Sequence, residues 1–178
     1  MSKRYILAFA LLCVAVVMSG CRRTDSDLPA STDWMSAEDK ISGVLIVPST
    51  EWSRNAELPF AFAVLNGTGK DVRVDGRLEW PGNVDLQARL PDGREIRVLQ
   101  TAVKMSRPTM SDVVTLGPEK LHGRRYKLDP RDKDVNPRLL AAPRGRYVFW
   151  VEYDTSGEPS VDCEELWLTS NKITVLVD

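Results

Sequence analysis

The stretch VDLQARL at residues 84–90 sets Val84, Leu86, Ala88 and Leu90 at alternate positions, with Asp85, Gln87 and Arg89 between them. An extended strand turns successive side chains to opposite faces, so this pattern describes a strand with one buried and one wet face. Pro91, Asp92 and Gly93 follow, and Ile96 and Val98 resume the alternation. The segment is read as a β-hairpin.

The same period recurs on both sides. Between Leu58 and Leu65, Phe60, Phe62 and Val64 share one face and Ala61 and Ala63 the other. Asn66, Gly67, Thr68 and Gly69 then supply a turn, since Asn and Gly tolerate positive φ. Val44 to Val47 is a short strand stopped by Pro48, and Val72, Val74 and Leu78 continue the alternation. Ser111–Leu116 and Arg124–Leu128 are weaker strands, separated by Gly117, Pro118 and Gly123. Nearer the C-terminus, Tyr147, Phe149, Val151 and Tyr153 face one way and Val148 and Trp150 the other, and Ile173, Val175 and Val177 repeat the pattern. Many short strands with Gly and Pro between them predict an all-β fold, an antiparallel sandwich. The connection DPRDKDVNPRLLAAP at 129–143 has three prolines and mixed charge. It reads as a long surface connection with one helical turn at Arg138–Ala141, of a kind that often carries function.

Pro143, Gly145 and Tyr147, then an alternating strand, a loop, Trp167, Ser170, Asn171 and a closing strand, resemble the final hairpin of bacterial immunoglobulin-like or fibronectin-like domains. The resemblance covers Leu139–Asp178 well and the earlier chain by pattern. It implies an immunoglobulin-like β-sandwich in which Tyr147 takes the tyrosine-corner position, its hydroxyl tying the preceding loop to the sheet. The paired cysteines of antibody domains are lacking, so no specific family is assigned.

Ahead of the strands stands MSKRYILAFALLCVAVVMSGC, residues 1–21. Lys3 and Arg4 make a basic start, Tyr5 to Met18 an apolar run, and Ser19 and Gly20 a small-residue exit, the form of a secretory signal. The run falls short of the about 20 apolar residues of a membrane helix. Met18, Ser19, Gly20 and Cys21 resemble the bacterial lipobox, with Met18 where leucine is usual. That resemblance implies a diacylglyceryl group on the Cys21 sulfur, cleavage before Cys21, and acylation of the freed amine. One acyl chain binds a membrane marginally and two signals bind it stably. Cleavage by the ordinary route wants small residues that Met18 and Val16 do not supply. Arg22 follows the cysteine instead of aspartate, which in enterobacteria-like families implies sorting to the outer membrane. The expected organisation is a lipoprotein signal peptide at 1–20, a polar lipid-anchored tether at 21–41 and the sandwich domain at 42–178. The expected location is the bacterial cell envelope, on the outer membrane facing the periplasm in a Gram-negative cell.

The 24 Lys and Arg less Lys3 and Arg4 leave 22, against 25 Asp and Glu. That balance, with export, argues against a nucleic-acid partner. Of the three cysteines, Cys13 lies in the leader and Cys21 is the lipid candidate, so Cys163 has no intramolecular partner.

No metalloprotease, nucleophile-elbow, dinucleotide or phosphate-loop motif occurs; Gly69-Lys70 is followed by Asp71, and the required earlier glycine is Val64. His122, the sole histidine, lies beside Gly123, Arg124 and Arg125 and reads as an exposed turn residue. Cys163 is flanked by Asp162, Glu164 and Glu165, which repel a thiolate, so it reads as a half-buried structural thiol. Met105, Met110, His122 and Cys163 are soft ligand types of the kind that hold copper, but their spacing matches no tight motif. Asp154, Glu158, Asp162, Glu164 and Glu165 offer oxygen ligands without the EF-hand order and read as a solvated loop. Arg124, Arg125, Lys127, Arg131 and Lys133, interleaved with Asp129 and Asp132, read as a solvated salt-bridging face. Asn66-Gly67-Thr68 fits a glycosylation sequon but reads as a turn.

No catalytic residue, metal or cofactor is assigned. The sequence leads to a lipid-anchored, non-enzymatic envelope protein that presents its sandwich for protein–protein interaction or assembly, through the Asp129–Pro143 connection or an exposed sheet edge. The expected partners are the membrane, through lipid on Cys21, and an unidentified envelope protein. An exported small-ligand or metal-binding module is the alternative, and an exported hydrolase using His122 and Cys163 the third reading.

Overall fold

Two antiparallel layers face each other in the computed structural model, which describes residues 40–101, 109–155 and 163–178. One layer holds β1 (Ile41–Ile46), β3 (Leu58–Asn66) and β8 (Leu121–Leu128), with β3 in the middle. The other runs β2 (Glu51–Trp52), β11 (Ile173–Val177), β9 (Gly145–Asp154), β5 (Val84–Arg89) and β6 (Glu95–Arg97), and β10 (Trp167–Thr169) also pairs with β9. A ribbon of β4 (Val72–Asp75) and β7 (Val113–Leu116) stands apart from both. The chain passes from β3 to β5 in the opposite layer, later returns for β8, and crosses again to β9. Its opening segment serves both layers, because β1 pairs with β3 while β2 runs parallel to β11. That strand order is an immunoglobulin-like β-sandwich.

The strictly alternating segments form the strands that the pattern predicts. In the 84–98 hairpin Ala88 pairs with Ile96, Gly93 takes φ +86°, and its N–H donates to the Leu90 carbonyl at 2.9 Å. Phe60, Phe62 and Val64 of β3 point inward, as do Leu86 and Ala88 of β5 and Phe149, Val151 and Tyr153 of β9. All are buried, and Phe62 and Tyr153 meet across the two layers with ring centroids 5.7 Å apart. Burial of each such large side chain contributes roughly 1.5–3 kcal/mol.

Three segments depart from their sequence reading. Leu78 does not extend β4, which ends at Asp75; Leu78 sits at φ +44°, fully buried. Ser111 and Asp112 belong to a 3-10 turn at Met110–Asp112, where the Asp112 carboxylate accepts from the Thr109 N–H at 2.7 Å. Hydrogen bonds from Thr109 hold the Asp112 carboxyl below its usual range. The third departure is β8, which begins at Leu121 and carries Gly123 inside it rather than before it. A Cβ on Gly123 would lie 2.8 Å from the Ala63 Cβ and 3.0 Å from the Phe62 carbonyl oxygen, so the closeness of β3 demands glycine there. Gly123→Ala should therefore lower stability by about 1–3 kcal/mol through displacement of one strand. An unchanged urea midpoint in that variant would contradict the close approach.

Two side-chain amides hold the seams. Asn171 accepts from the Leu45 N–H at 2.7 Å and donates to its carbonyl at 3.1 Å, which joins the turn before β11 to the edge of β1. Asn66 lies fully buried at the end of β3, donating to the Lys70 and Leu116 carbonyls and accepting from Thr68. Both of its amide hydrogens are committed, so Asn66-Gly67-Thr68 is a structural turn with no room for a glycan.

The registers also give the sandwich two ends. Ile41 pairs with Asn66, and the Gly67 N–H donates to the Lys40 carbonyl, so the described chain enters at the end where β3 finishes. Leu58 pairs with Leu128 and Val177 with Gly145 at the other end, so the 129–144 connection closes the far side. The nine residues of β3 separate the two ends by roughly 30 Å.

Candidate functional site

At the far end, the 129–143 connection is fastened to the sandwich rather than draped over it. The Asn136 N–H donates to the Val98 carbonyl, the Gln100 N–H donates to that of Asp134, and Asn136 Nδ2 donates to the Arg97 carbonyl. Asn136 also accepts from the Arg138 N–H at 3.1 Å and so opens α1 (Pro137–Ala141), which covers the expected helical turn and buries Leu139. Tyr147 lies near the start of β9, and its hydroxyl donates to the Pro143 carbonyl at 3.0 Å. Arg54 donates to that hydroxyl at 3.1 Å and to the Leu140 carbonyl at 2.7 Å. Burial pushes the Tyr147 phenol up, which keeps it a proton donor at neutral pH. The connection thus presents a fixed surface whose outward side chains include Arg131, Lys133, Arg138 and Arg144.

A second organised surface follows β8. His122, Arg124 and Tyr126 alternate along the strand, and each donates to one carbonyl of a single passing segment. His122 Nε2 reaches the Gly76 oxygen at 2.7 Å, Arg124 reaches that of Arg77 at 3.2 Å, and the Tyr126 hydroxyl reaches that of Leu78. Tyr153 completes the row from the other layer with a 2.8 Å bond to the Asp75 carbonyl. The three carbonyls beyond the end of β4, of Gly76, Arg77 and Leu78, are thereby satisfied by side chains rather than by a ladder, which is how an irregular segment against the core meets its hydrogen-bonding requirement. Beneath them the Asp75 carboxylate accepts from Arg77 Nη2 at 2.6 Å and from Asn83 Nδ2 at 3.4 Å. Burial pushes the Tyr126 and Tyr153 phenols well up, so both remain donors.

This row corrects the reading of His122. It is not an exposed turn residue but a half-buried strand residue. A carbonyl oxygen only accepts, so Nε2 carries the proton in that bond. The signal was present in the sequence as His122, Arg124, Tyr126 and Leu128 at alternate positions, and Gly123 hid it. Asp75, Arg77 and Arg54 carry no signal in the sequence, because their partners are set by the fold rather than by any motif.

The remaining candidates do not converge. Cys163 is half-buried with a free thiol, and Met110 is exposed beside the 3-10 turn. Asp154 ends β9, paired with Trp167, and Glu164 and Glu165 lie just before β10, where the Glu164 N–H donates to the Arg73 carbonyl. Among the described residues no group of three or more His, Cys, Asp or Glu side chains could hold a metal ion. The basic stretch does form ion pairs, Arg131 with Asp129 at 2.9 Å and Lys127 with Glu57 at 2.8 Å. Met18, Ser19, Gly20, Cys21, Met105, Glu158 and Asp162 lie outside the described residues. No helix among the described residues is long and apolar enough to cross a membrane.

No family model matches the chain, and no curated protein matches it. Among solved structures it is similar to the CARDB domain of the PF1109 protein from Pyrococcus furiosus, in complex with di-metal ions. The identity is 12%, the TM-score 0.38, and the match covers 79% of this chain and 94% of that one. It is also similar to a β-glucosidase from Listeria innocua in complex with glucose, at 10% identity and TM-score 0.36, over 77% of this chain. A β-glucosidase from Erythrobacter marinus matches at 14% identity and TM-score 0.36. The chain spans only 16% and 15% of those two enzymes. The fold assignment rests on strand order and register.

Proposed function

We propose that this chain is a lipid-anchored, non-enzymatic protein of the bacterial envelope, held by acyl chains on Cys21, whose sandwich works by contact with another envelope protein. The observation that carries the reading is the polarity of the sandwich. The chain enters at Lys40, beside Asn66, and the fastened 129–143 connection lies at the opposite end. An anchor at Cys21 followed by a polar tether therefore joins the sandwich at the end opposite the connection, which leaves the connection free to face away from the lipid surface. A pre-formed surface there binds without an ordering cost, which favours recognition over mobile gating.

Two measurements on the native envelope protein test this. Mass spectrometry should find a chain that begins at Cys21 and carries acyl mass on its first residue. A bare residue 21, or residues 1–20 still attached, overturns the anchor. A photo-reactive amino acid at Arg138 should give protein adducts in cells and one at Asp71 should not; adducts from neither position count against a contact role.

A further inference from the structure

We infer that Asp85 and Glu152, facing each other on the outer side of the β5–β9 layer, form an acid-strengthened clamp: a proton taken up at Asp85 tightens the seat of the 129–143 connection. This goes beyond the contact reading above and rests on it only in treating that connection as the contact surface.

Asp85 of β5 and Glu152 of β9 are direct cross-strand partners, and each stands between buried inward residues, so their carboxylates share the outer face. Like charges set opposite each other in a sheet are destabilising. Gln87 Nε2 spans the pair, donating to Asp85 Oδ2 at 3.1 Å and to Glu152 Oε2 at 3.3 Å, while Trp150 Nε1 donates to Glu152 Oε1 at 3.4 Å. From β6, Arg97 Nε stands 2.6 Å from Asp85 Oδ2; the Asp85 side chain is 18% exposed and that of Arg97 35%. Asp85 Oδ1 is sealed from solvent and has no hydrogen-bond partner among the described residues. Burial outweighs the pull of Arg97 and raises the Asp85 carboxyl above its ordinary range, and the Glu152 charge adds to the rise.

The same strand carries the connection. The Arg97 carbonyl accepts from Asn136 Nδ2 at 3.0 Å, and Val98 donates to the Leu86 carbonyl while its own carbonyl accepts from the Asn136 N–H. Opening of β6 together with the connection lifts Arg97 away and returns Asp85 to water, where its carboxyl falls back towards the about 3.9 of a free side chain. The closed state thus binds the proton more tightly than the open one, and by linkage the proton favours the closed state. That gain is complete below the free value and is lost as pH rises through the raised one. Asp92 and Asp129 are held low by hydrogen bonds from Arg94 and Arg131, so they stay charged across this window.

Hydrogen exchange on the full acylated protein in non-ionic detergent reads the clamp directly. After correction for the intrinsic effect of pH, protection of the Asn136 and Gln100 amides should be several-fold greater at about pH 5 than at about pH 7. An NMR titration of the side-chain carboxyl carbons should place Asp85 above a free Asp, and Glu152→Gln should bring it down. Asp85→Asn should abolish the rise in protection. An Asp85 carboxyl at or below its ordinary value, wild-type protection that is flat or falls on acidification, or a pH response kept by Asp85→Asn overturns the inference. These readouts use purified protein, so missing adducts from Arg138 in cells would sink the contact reading alone.

Discussion

Asp75→Ala should destabilise the sandwich by about 3–5 kcal/mol, a large share of the roughly 5–15 kcal/mol that holds a domain of this size together. The Asp75 side chain is 4% exposed and that of Arg77 13%. Their 2.6 Å contact is reinforced by bonds from Arg77 N and Nε to Asp75 Oδ1, both at 3.0 Å. A buried pair of this kind adds little over an apolar pair of the same volume, because both charges were taken out of water to form it. Removal of one partner is different, since the guanidinium keeps its desolvation cost and loses its counter-charge. The penalty should spread, because the next three carbonyls are held by His122, Arg124 and Tyr126 and depend on the path this pair gives the chain. Urea unfolding should show a lower midpoint with an unchanged slope. The double variant Asp75→Leu with Arg77→Met should recover most of the loss. If Asp75→Ala unfolds within about 1 kcal/mol of wild type, the pair is not what fixes this segment.

The same segment shows why part of the fold was legible and part was not. β3, β5, β9 and β11 announce themselves because one face of each is buried along its whole length, and burial writes a period of two into the sequence. β2 is two residues long and exists only because β11 lies parallel to it. β10 turns Trp167, 72% exposed, to solvent and so shows no alternation. In β8 the glycine that a local reading takes for a breaker is required by Ala63, a residue 60 positions earlier in the chain. Val72, Val74 and Leu78 read as one continued alternation, and only the approach of β8 and Tyr153 turns the chain after Asp75 into a crossing held by side chains. The contact surfaces were legible as a connection rich in Pro and charge, but their rigidity was not. The bonds from Arg54 and Asn136 that fasten the connection join residues far apart in sequence.

Cys21→Ser, in a chain whose leader is opened to the ordinary cleavage route by Val16→Ala and Met18→Ala, should move the protein from the membrane fraction to the soluble exported fraction while leaving the domain intact. The proposed anchor works through acyl chains, each methylene of which contributes about 0.8 kcal/mol when buried in lipid, so loss of the acceptor sulfur removes the whole of that affinity at once. A serine hydroxyl has the size of the thiol but cannot form the thioether. Nothing in the described domain compensates, because its outward side chains are largely polar and none of its helices could span a bilayer. The membrane-bound fraction should fall at least about a hundredfold, and thermal unfolding of the released protein should match that of the acylated form. The two halves of this result separate the causes. Release with unchanged unfolding assigns the membrane attachment to one sulfur, whereas retention of the serine variant on the membrane would place the anchor in the apolar run at residues 5–18 or in the sandwich itself, and the lipoprotein reading would fail.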